Sequence, residues 1–327
     1  MRFRTALLTA LIALLAASCQ REDILVPEVP ASLSVSASVI DRDEQAFTET
    51  VDVIADCGWD IFFPTPSDWV NVRPSEGKIV ISSGTNDTGK ERTACLYVVP
   101  DDTRVQAVRI DILQDAPVDA PDFNTLVVAM AEKRLTMNAR LHIDPLIIGK
   151  LRNEALWLDA HSREYAYMPP FHTVAMNADY VYAPDWTQQT GGDCLRGLHL
   201  ADYYLSHQDY HLLPDADRVF YLRILIHLMG DLHNPDHACR MPEGKFADGT
   251  DAILKDLCSG MSYSRMIRTL DTCTEGEVRA CGAGSLNDWA KDCCRRAAVV
   301  DENSVAEAVR TAAYRLANMI NSYYGTY

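Results

Sequence analysis

The chain has 327 residues, a formal net charge of −16 and ten cysteines, and at roughly 100 to 200 residues per domain it has room for two cores. The acidic balance repels polyphosphate at long range and argues against a high-affinity, groove-tracking nucleic-acid binder, although metal ions can supply a positive field locally where a basic surface is missing. No CxxC pair is present, so the sequence gives no support to a structural zinc finger.

Met1-Arg2-Phe3-Arg4 precede an apolar run from Ala6 to Ala17 and then Ser18-Cys19. These are the charged n-region, short h-region and small-residue cleavage site of a signal peptide. The run is too short to span a bilayer, which takes about 20 apolar residues. A cysteine directly after Ala16-Ala17-Ser18 predicts lipidation of Cys19, with simple cleavage as the alternative. The lipoprotein consensus has Leu three residues before the cysteine, whereas here Ala16 holds that place and Leu15 precedes it. Residues 1–18 read as signal peptide and 19–32 as a tether, in which Gln20-Arg21-Glu22-Asp23 resembles the acidic stretch of surface-exported lipoproteins of gut Bacteroidetes. The expected location is the cell envelope, with lipid anchoring to the outer membrane and exposure at its surface. That compartment permits disulfides. Setting Cys19 aside leaves nine cysteines, an odd number, so at least one thiol stays free or pairs between chains.

Residues 33–116 are strand-like. Leu33–Val39, Thr50–Ile54, Lys78–Ser82, Ala94–Val99 and Ala107–Ile112 alternate with period 2. Turn clusters at Pro74–Gly77 and Ser83–Asp87 separate some of them, which predicts a small antiparallel, all-β, Ig-like sandwich. The spacing of Cys57-Gly-Trp59, Trp69-Val-Asn-Val72, Gly77, Asn86, Arg92 and Ile112-Leu-Gln114 resembles the BACON module of Bacteroidetes surface proteins. The resemblance implies a non-catalytic spacer, with carbohydrate contact as a further role. Trp59 and Trp69 are expected in the sandwich core rather than on a sugar platform.

Ala116-Pro-Val-Asp-Ala-Pro121 carries two prolines and reads as an interdomain break. From residue 122 to 327 the period changes. Ala129–Leu141, Val219–Leu232, Met261–Leu270, Ser285–Val299 and Val305–Tyr323 carry apolar residues at helical spacing, with Ser285 and Asn303-Ser304 as caps. This second domain is expected to be mainly α-helical.

Chemistry concentrates in Leu222–His237. His227 and Asp231 are four apart, so on a helix they leave one face, and that face otherwise continues an apolar stripe. A carboxylate and an imidazole aimed into a core need compensation from each other, from another charge or from a metal ion, and zinc accepts these nitrogen and oxygen donors. Pro235 is expected to end the helix and return His237 toward the same point. Spacing alone leaves a satisfied His–Asp pair and a metal site equally open.

The string His227-x-x-Gly230-Asp231-x-His233-x-Pro235-x-His237 resembles the signature of the S1/P1 nucleases, which have a phospholipase C-like fold. Trp157-Leu-Asp159 is similar to that family's Trp-x-Asp, and Phe171-His172 to its Trp-His. Gly191-Gly-Asp-Cys194, Met261-Ser-Tyr263 and Asp288-Trp289-Ala290 are similar to text in Bacteroidetes members. The resemblance implies that Asp159, His172, His227 and Asp231 complete one Zn2+ site and that His237 belongs to a second, with Asp231 bridging two metals. It also implies a family chemistry in which three zinc ions polarise a phosphodiester, generate hydroxide near neutral pH and stabilise the leaving 3′ oxygen. The expected substrate is single-stranded nucleic acid or a nucleotide. Asp231 and Arg163 are the candidate catalytic residues.

The chain also departs from the family. A β region precedes the helices, so no free amino terminus can ligate the third zinc, and Asn124 stands near the expected histidine. The family's Asn-Leu-His-x-x-Trp-Asp survives only as Phe246–Asp251, offering Asp251, or Asp256 with a shift, without the histidine. Thr173-Val174-Ala175 replace residues that contribute to nucleotide contacts, and Arg163 is one place late. One good, one impaired and one lost zinc site are expected. Two functions follow: an endonuclease with a partly degenerate centre, or a catalytically inactive binding and display protein that keeps one structural zinc. A zinc phospholipase C has less support, because no membrane-facing aromatic loop is recognisable. His142, His161, His199, His207 and His211 match no motif position and are assigned to surface or core, and His233 to a supporting role.

Overall fold

The structure, a computed structural model, describes residues 31–161, 164, 169–182, 192–207, 209–240 and 246–324. Cys19 and Arg163 lie outside the described residues. Among those residues no helix is long and apolar enough to cross a membrane.

Eight strands make two four-stranded sheets: β1 (Leu33–Val35), β2 (Val39–Arg42), β3 (Phe47–Ala55), β4 (Trp59–Phe62), β5 (Val70–Ser75), β6 (Lys78–Ser83), β7 (Arg92–Pro100) and β8 (Val108–Gln114). One sheet has the order β1-β3-β6-β5 and the other β2-β8-β7-β4. Alternation decides which residues turn inward: Ile79 and Ile81 on β6, Leu96 and Val98 on β7, and Ile110 and Ile112 on β8 are fully buried in one shared core. The single strand expected over Leu33–Val39 is two. β1 pairs with β3, and after Ser36–Ser38 the chain crosses to the other sheet, where β2 runs parallel to β8. A wholly antiparallel arrangement is thereby corrected. β4 and β5 are edge strands beyond those expected, and β5 tolerates Pro74 because it pairs on one side only.

Ten helices follow: α1 (Phe123–Lys133), α2 (Met137–Ile143), α3 (Trp157–His161), α4 (Cys194–Ser206), α5 (Asp215–His233), α6 (Thr250–Cys258), α7 (Tyr263–Leu270), α8 (Glu275–Cys281), α9 (Leu286–Arg296) and α10 (Glu302–Tyr324) among the described residues. A small parallel pair, β9 (Val174–Met176) and β10 (Ala238–Arg240), ties two loops together. The expected helix over Ala129–Leu141 is broken, because Thr136 caps a new helix by accepting from the Ala139 N–H. Ser285 caps α9 as anticipated. Ahead of α10, by contrast, Asp301 and Ser304 bond reciprocally, so Asn303 lies inside the helix. α5 is the central helix: it packs against α1, α4 and α10, and every residue from Ile224 to His233 is buried.

The two regions meet through polar groups removed from water. Glu44, 2% exposed, accepts from Arg265 Nη1 at 2.8 Å and from the Ser262 N–H at 3.2 Å, and Asp43 pairs with Arg268. Asp115, also 2% exposed, accepts from the Ser264 N–H and lies 3.3 Å from both Lys150 and Arg152. The two-proline stretch does not hang free: the Val118 N–H donates to Met261 O and the Gly260 N–H to Val118 O, each at 3.0 Å. Burial works to raise both carboxyls, but the hydrogen bonds of Arg265 and Ser262 hold Glu44 at about 2. Ser264, Arg152 and Lys150 do the same for Asp115, also about 2. Because the folded values are depressed, this stabilisation is complete above the ordinary carboxylate range and is lost as pH falls toward 2. Hydrogen bonds to charged groups contribute about 1.5 to 3 kcal/mol each. Glu44→Gln is therefore expected to speed hydrogen exchange of the Val118 and Gly260 amides tenfold or more at neutral pH. Unchanged exchange would rule this clamp out.

Candidate metal centre

Four side chains from three segments converge beside α5. His227 and Asp231, each 1% exposed, lie one turn apart on the helix, with His227 Nε2 3.1 Å from Asp231 Oδ2. His172 ends a 3-10 turn, Pro169–His172, and places Nδ1 2.9 Å from Asp231 Oδ2 and 3.1 Å from His227 Nε2. Asp159 on α3 brings Oδ1 to 3.7 Å from both imidazole nitrogens. The ligand atoms of Asp159, His172 and His227 all lie within 4.8 Å of one another.

Local structure explains each placement. α3 is fastened to α5 by its neighbours: Arg223 bonds Glu154 at 2.7 Å and lies over the Trp157 ring, which also meets Phe220 edge-on. With Trp157 so held, two residues along α3, just over half a turn, carry Asp159 to the two histidines. His172 follows Phe171, which is 4% exposed and packs where α4 crosses α5 at Gly197. A Cβ on Gly197 would stand 2.4 Å from the end of the Leu228 side chain and 3.1 Å from the Phe171 ring, so a larger residue there would have to move Leu228 and press on the ring. Asp193 caps α4, and the Cys194 N–H donates to Thr173 O, which fixes the chain just past His172.

The donor set fits zinc. In a tetrahedral site with bonds of about 2.0 to 2.2 Å the ligand atoms stand roughly 3.3 to 3.6 Å apart, and the separations between each histidine and the other donors, 2.9 to 3.7 Å, bracket that spacing. His227 Nδ1 donates to Ala155 O at 2.7 Å, which leaves the Nε2 lone pair facing the other donors. Such outer hydrogen bonds orient metal-binding imidazoles. Without a cation the cluster recruits protons instead. Burial works to lower His227, yet the Asp231 carboxylate, aided by Asp159 and the Ala155 carbonyl, raises it to about 9. Burial works to raise Asp231, but His227, His172 and His237 hold it well below the carboxylate range. Asp159, with its side chain 55% exposed, opens the site to solvent.

The other sequence-derived candidates sit at the margin. His237 returns after Pro235 as expected, with Nδ1 3.4 Å from Asp231 Oδ1. Asp251 is on the first turn of α6. Burial raises it, Asp122 and Asp236 raise it further, and His237 acts in the opposite direction. Among the described residues, however, no three-ligand group includes His237 or Asp251. Asp256 is on the same helix as Asp251 and joins no such group either. His233 points away: its Nδ1 bonds Met229 O and its Nε2 meets Arg315 Nη1 at 2.8 Å. Two features escaped the sequence reading, the Ala155 carbonyl and the Asn124 amide, which donates to Asp231 Oδ1 at 2.8 Å. No linear pattern signals the second, because it depends on the space left at Gly230 on the buried half of α5. In the β region Trp59 and Trp69 pack against the core, and Arg92 covers the Trp69 ring at 4.6 Å.

The family model for S1/P1 nuclease matches residues 125–253, which include all six metal candidates. No curated protein matches the chain. Among solved structures, a Bacteroides ovatus GH5 xyloglucanase in complex with a XXXG heptasaccharide is 21% identical, covering 29% of this chain and 21% of that one, with a TM-score of 0.22. An endo-fucoidan hydrolase of glycoside hydrolase family 107 is 11% identical over 26% of this chain and 13% of its own, with a TM-score of 0.21. Titin domain M7 is 8% identical over 26% of this chain and 94% of its own, with a TM-score of 0.21. The chain thus spans well under two thirds of the two hydrolases.

Proposed function

We propose that the helical part, residues 122–327, is a zinc-dependent phosphodiester hydrolase of the S1/P1 type, acting as an endonuclease on single-stranded nucleic acid with a reduced metal complement. The observation that carries this reading is the convergence of Asp159, His172 and His227 within 4.8 Å of one another, with Asp231 beside both histidines, and the family match over 125–253 supports it. A bound zinc ion polarises a phosphate oxygen and lowers the pKa of a bound water to about 7. The chain's own part is to hold the four donors, keep His227 in the Nδ1–H tautomer through Ala155, and leave the Asp159 side open to substrate. His237 and Asp251 offer two donors to a second position, short of the three that protein-held catalytic zinc takes. Arg163 is kept as a candidate catalytic residue by resemblance.

The remainder of the chain fits an envelope protein: a signal peptide, lipidation at Cys19, a tether, and an Ig-like, BACON-like spacer over 33–116. The covered face of Trp69 favours a spacer over a sugar platform.

An inactive display protein with one structural zinc is the second reading, favoured by the neutral Asn124 amide on Asp231. Incubation of the zinc-loaded full chain with single-stranded DNA and RNA separates the two. Cleavage that chelation abolishes and zinc restores is the expected result. A chain that binds zinc yet leaves both substrates intact with zinc in excess would establish the second reading.

A further inference from the structure

The two oxygens of Asp231 are used differently. Oδ2 faces His172 Nδ1 and His227 Nε2. Oδ1 accepts an N–H from Asn124 Nδ2 at 2.8 Å. Asn124 is 6% exposed on the first turn of α1, where Asp122 fixes the helix start by accepting from the Thr125 N–H at 2.8 Å. Across from it α5 carries Gly230. A Cβ there would stand 2.1 Å from Asn124 Oδ1 and 2.6 Å from its Cγ, so the amide occupies space that only glycine leaves open. A carboxylate whose second oxygen accepts from a neutral N–H is held in one orientation and presents its other oxygen to a cation. Among the described residues His237 Nδ1 also stands beside Oδ1, at 3.4 Å and without hydrogen-bond geometry. Among the described residues His237, Asp251 and this shared oxygen form no three-ligand group, the least that protein-held catalytic zinc takes.

We propose that Asn124 is a positioning residue that fixes Asp231 as a one-oxygen, terminal ligand and so limits the centre to a single zinc ion. The inference rests on the zinc reading above. It also reverses one expectation from resemblance, the bridging role of Asp231, because an amide stands where a second cation would meet Oδ1.

Zinc titration of the full chain, with elemental analysis after dialysis, tests it. The parent holds one zinc per chain. Asn124→Leu, which keeps the volume and removes the N–H, still holds one but binds it 10- to 100-fold more weakly, the usual loss for a partner that orients a ligand. Asn124→Asp, nearly isosteric, sets two carboxylates face to face, which demands a cation, and takes up two. Should Asn124→Leu fold poorly, Asn124→Asp carries the test. Parent affinity retained in Asn124→Leu, or a single zinc at parent affinity in Asn124→Asp, overturns the inference alone, as does a parent holding two or three zinc ions. A role in packing only would lower the melting temperature of the chelated protein without moving zinc affinity, and that result also overturns it. A parent that binds no zinc defeats the zinc reading as well.

Discussion

Asp231→Asn is expected to abolish tight zinc binding and to remove the rise in melting temperature that zinc confers on the parent. The substitution keeps the side-chain shape, so packing changes little, but it deletes the charge toward which three histidines and Asn124 converge. In the zinc-loaded chain the loss is of binding energy, which is also folding energy. A ligand present at 100 times its dissociation constant stabilises by about 2.7 kcal/mol. In the metal-free chain the same change strips His227 of its counter-charge inside a buried site, and breaking a buried pair costs about 3 to 5 kcal/mol. Melting curves with and without a chelator, beside zinc analysis, check both effects. If chelation leaves the parent's melting temperature unchanged, the cluster is an ion-pair network and not a metal site.

The stabilisation conferred by zinc is expected to widen steadily from pH 5 to 9. Metal-free, His227 titrates at about 9, above its unfolded value of 6.5. Its contribution is complete below 6.5 and is lost as pH rises through 9. Asp231, depressed in the fold, contributes above 3.8 and loses that contribution in acid. With zinc bound, the ligands carry no protons, whereas the unfolded chain takes them up below 6.5, so the loaded protein gains stability up to 6.5 and is level beyond it. His233, held down to about 3 by burial and by Arg315, loses stability on acidification in both forms and cancels in the difference. One proton corresponds to about 1.4 kcal/mol per pH unit. Paired thermal scans across this range check it, and a gap that stays constant or narrows between pH 6.5 and 9 contradicts zinc ligation by His227.

Leu222–His237 was legible because helix period, burial and the four-residue step from His227 to Asp231 coincide in one segment. Asp159 and His172 were not legible by spacing, because their approach to His227 is set by tertiary contacts of Trp157 and Phe171, and only the resemblance pointed to them. Asn124 was read as a lost ligand. Its hydrogen bond depends on the space at Gly230, which no linear pattern encodes. Asp43, Glu44 and Asp115 look in sequence like ordinary solvated turn residues. Their partners lie more than a hundred residues away on α7, or on Lys150 and Arg152, so their burial has no local signature. The crossing from β1 to β2 was hidden because an alternating run looks the same whether it stays in one sheet or changes sheets.

The clamp between the β region and α7 also fixes how the molecule carries force. Tension applied ahead of Leu33 travels along β2 and β8 and reaches Asp43, Glu44 and Asp115 before it reaches residue 116. The load then passes sideways into α7 through several bonds strained together. Only part of it is left to the backbone that leads into α1, where Asn124 donates to Asp231. The contacts of Asp43, Glu44 and Asp115 with α7, Lys150 and Arg152 therefore stand between a pull from that end and the donors beside α5.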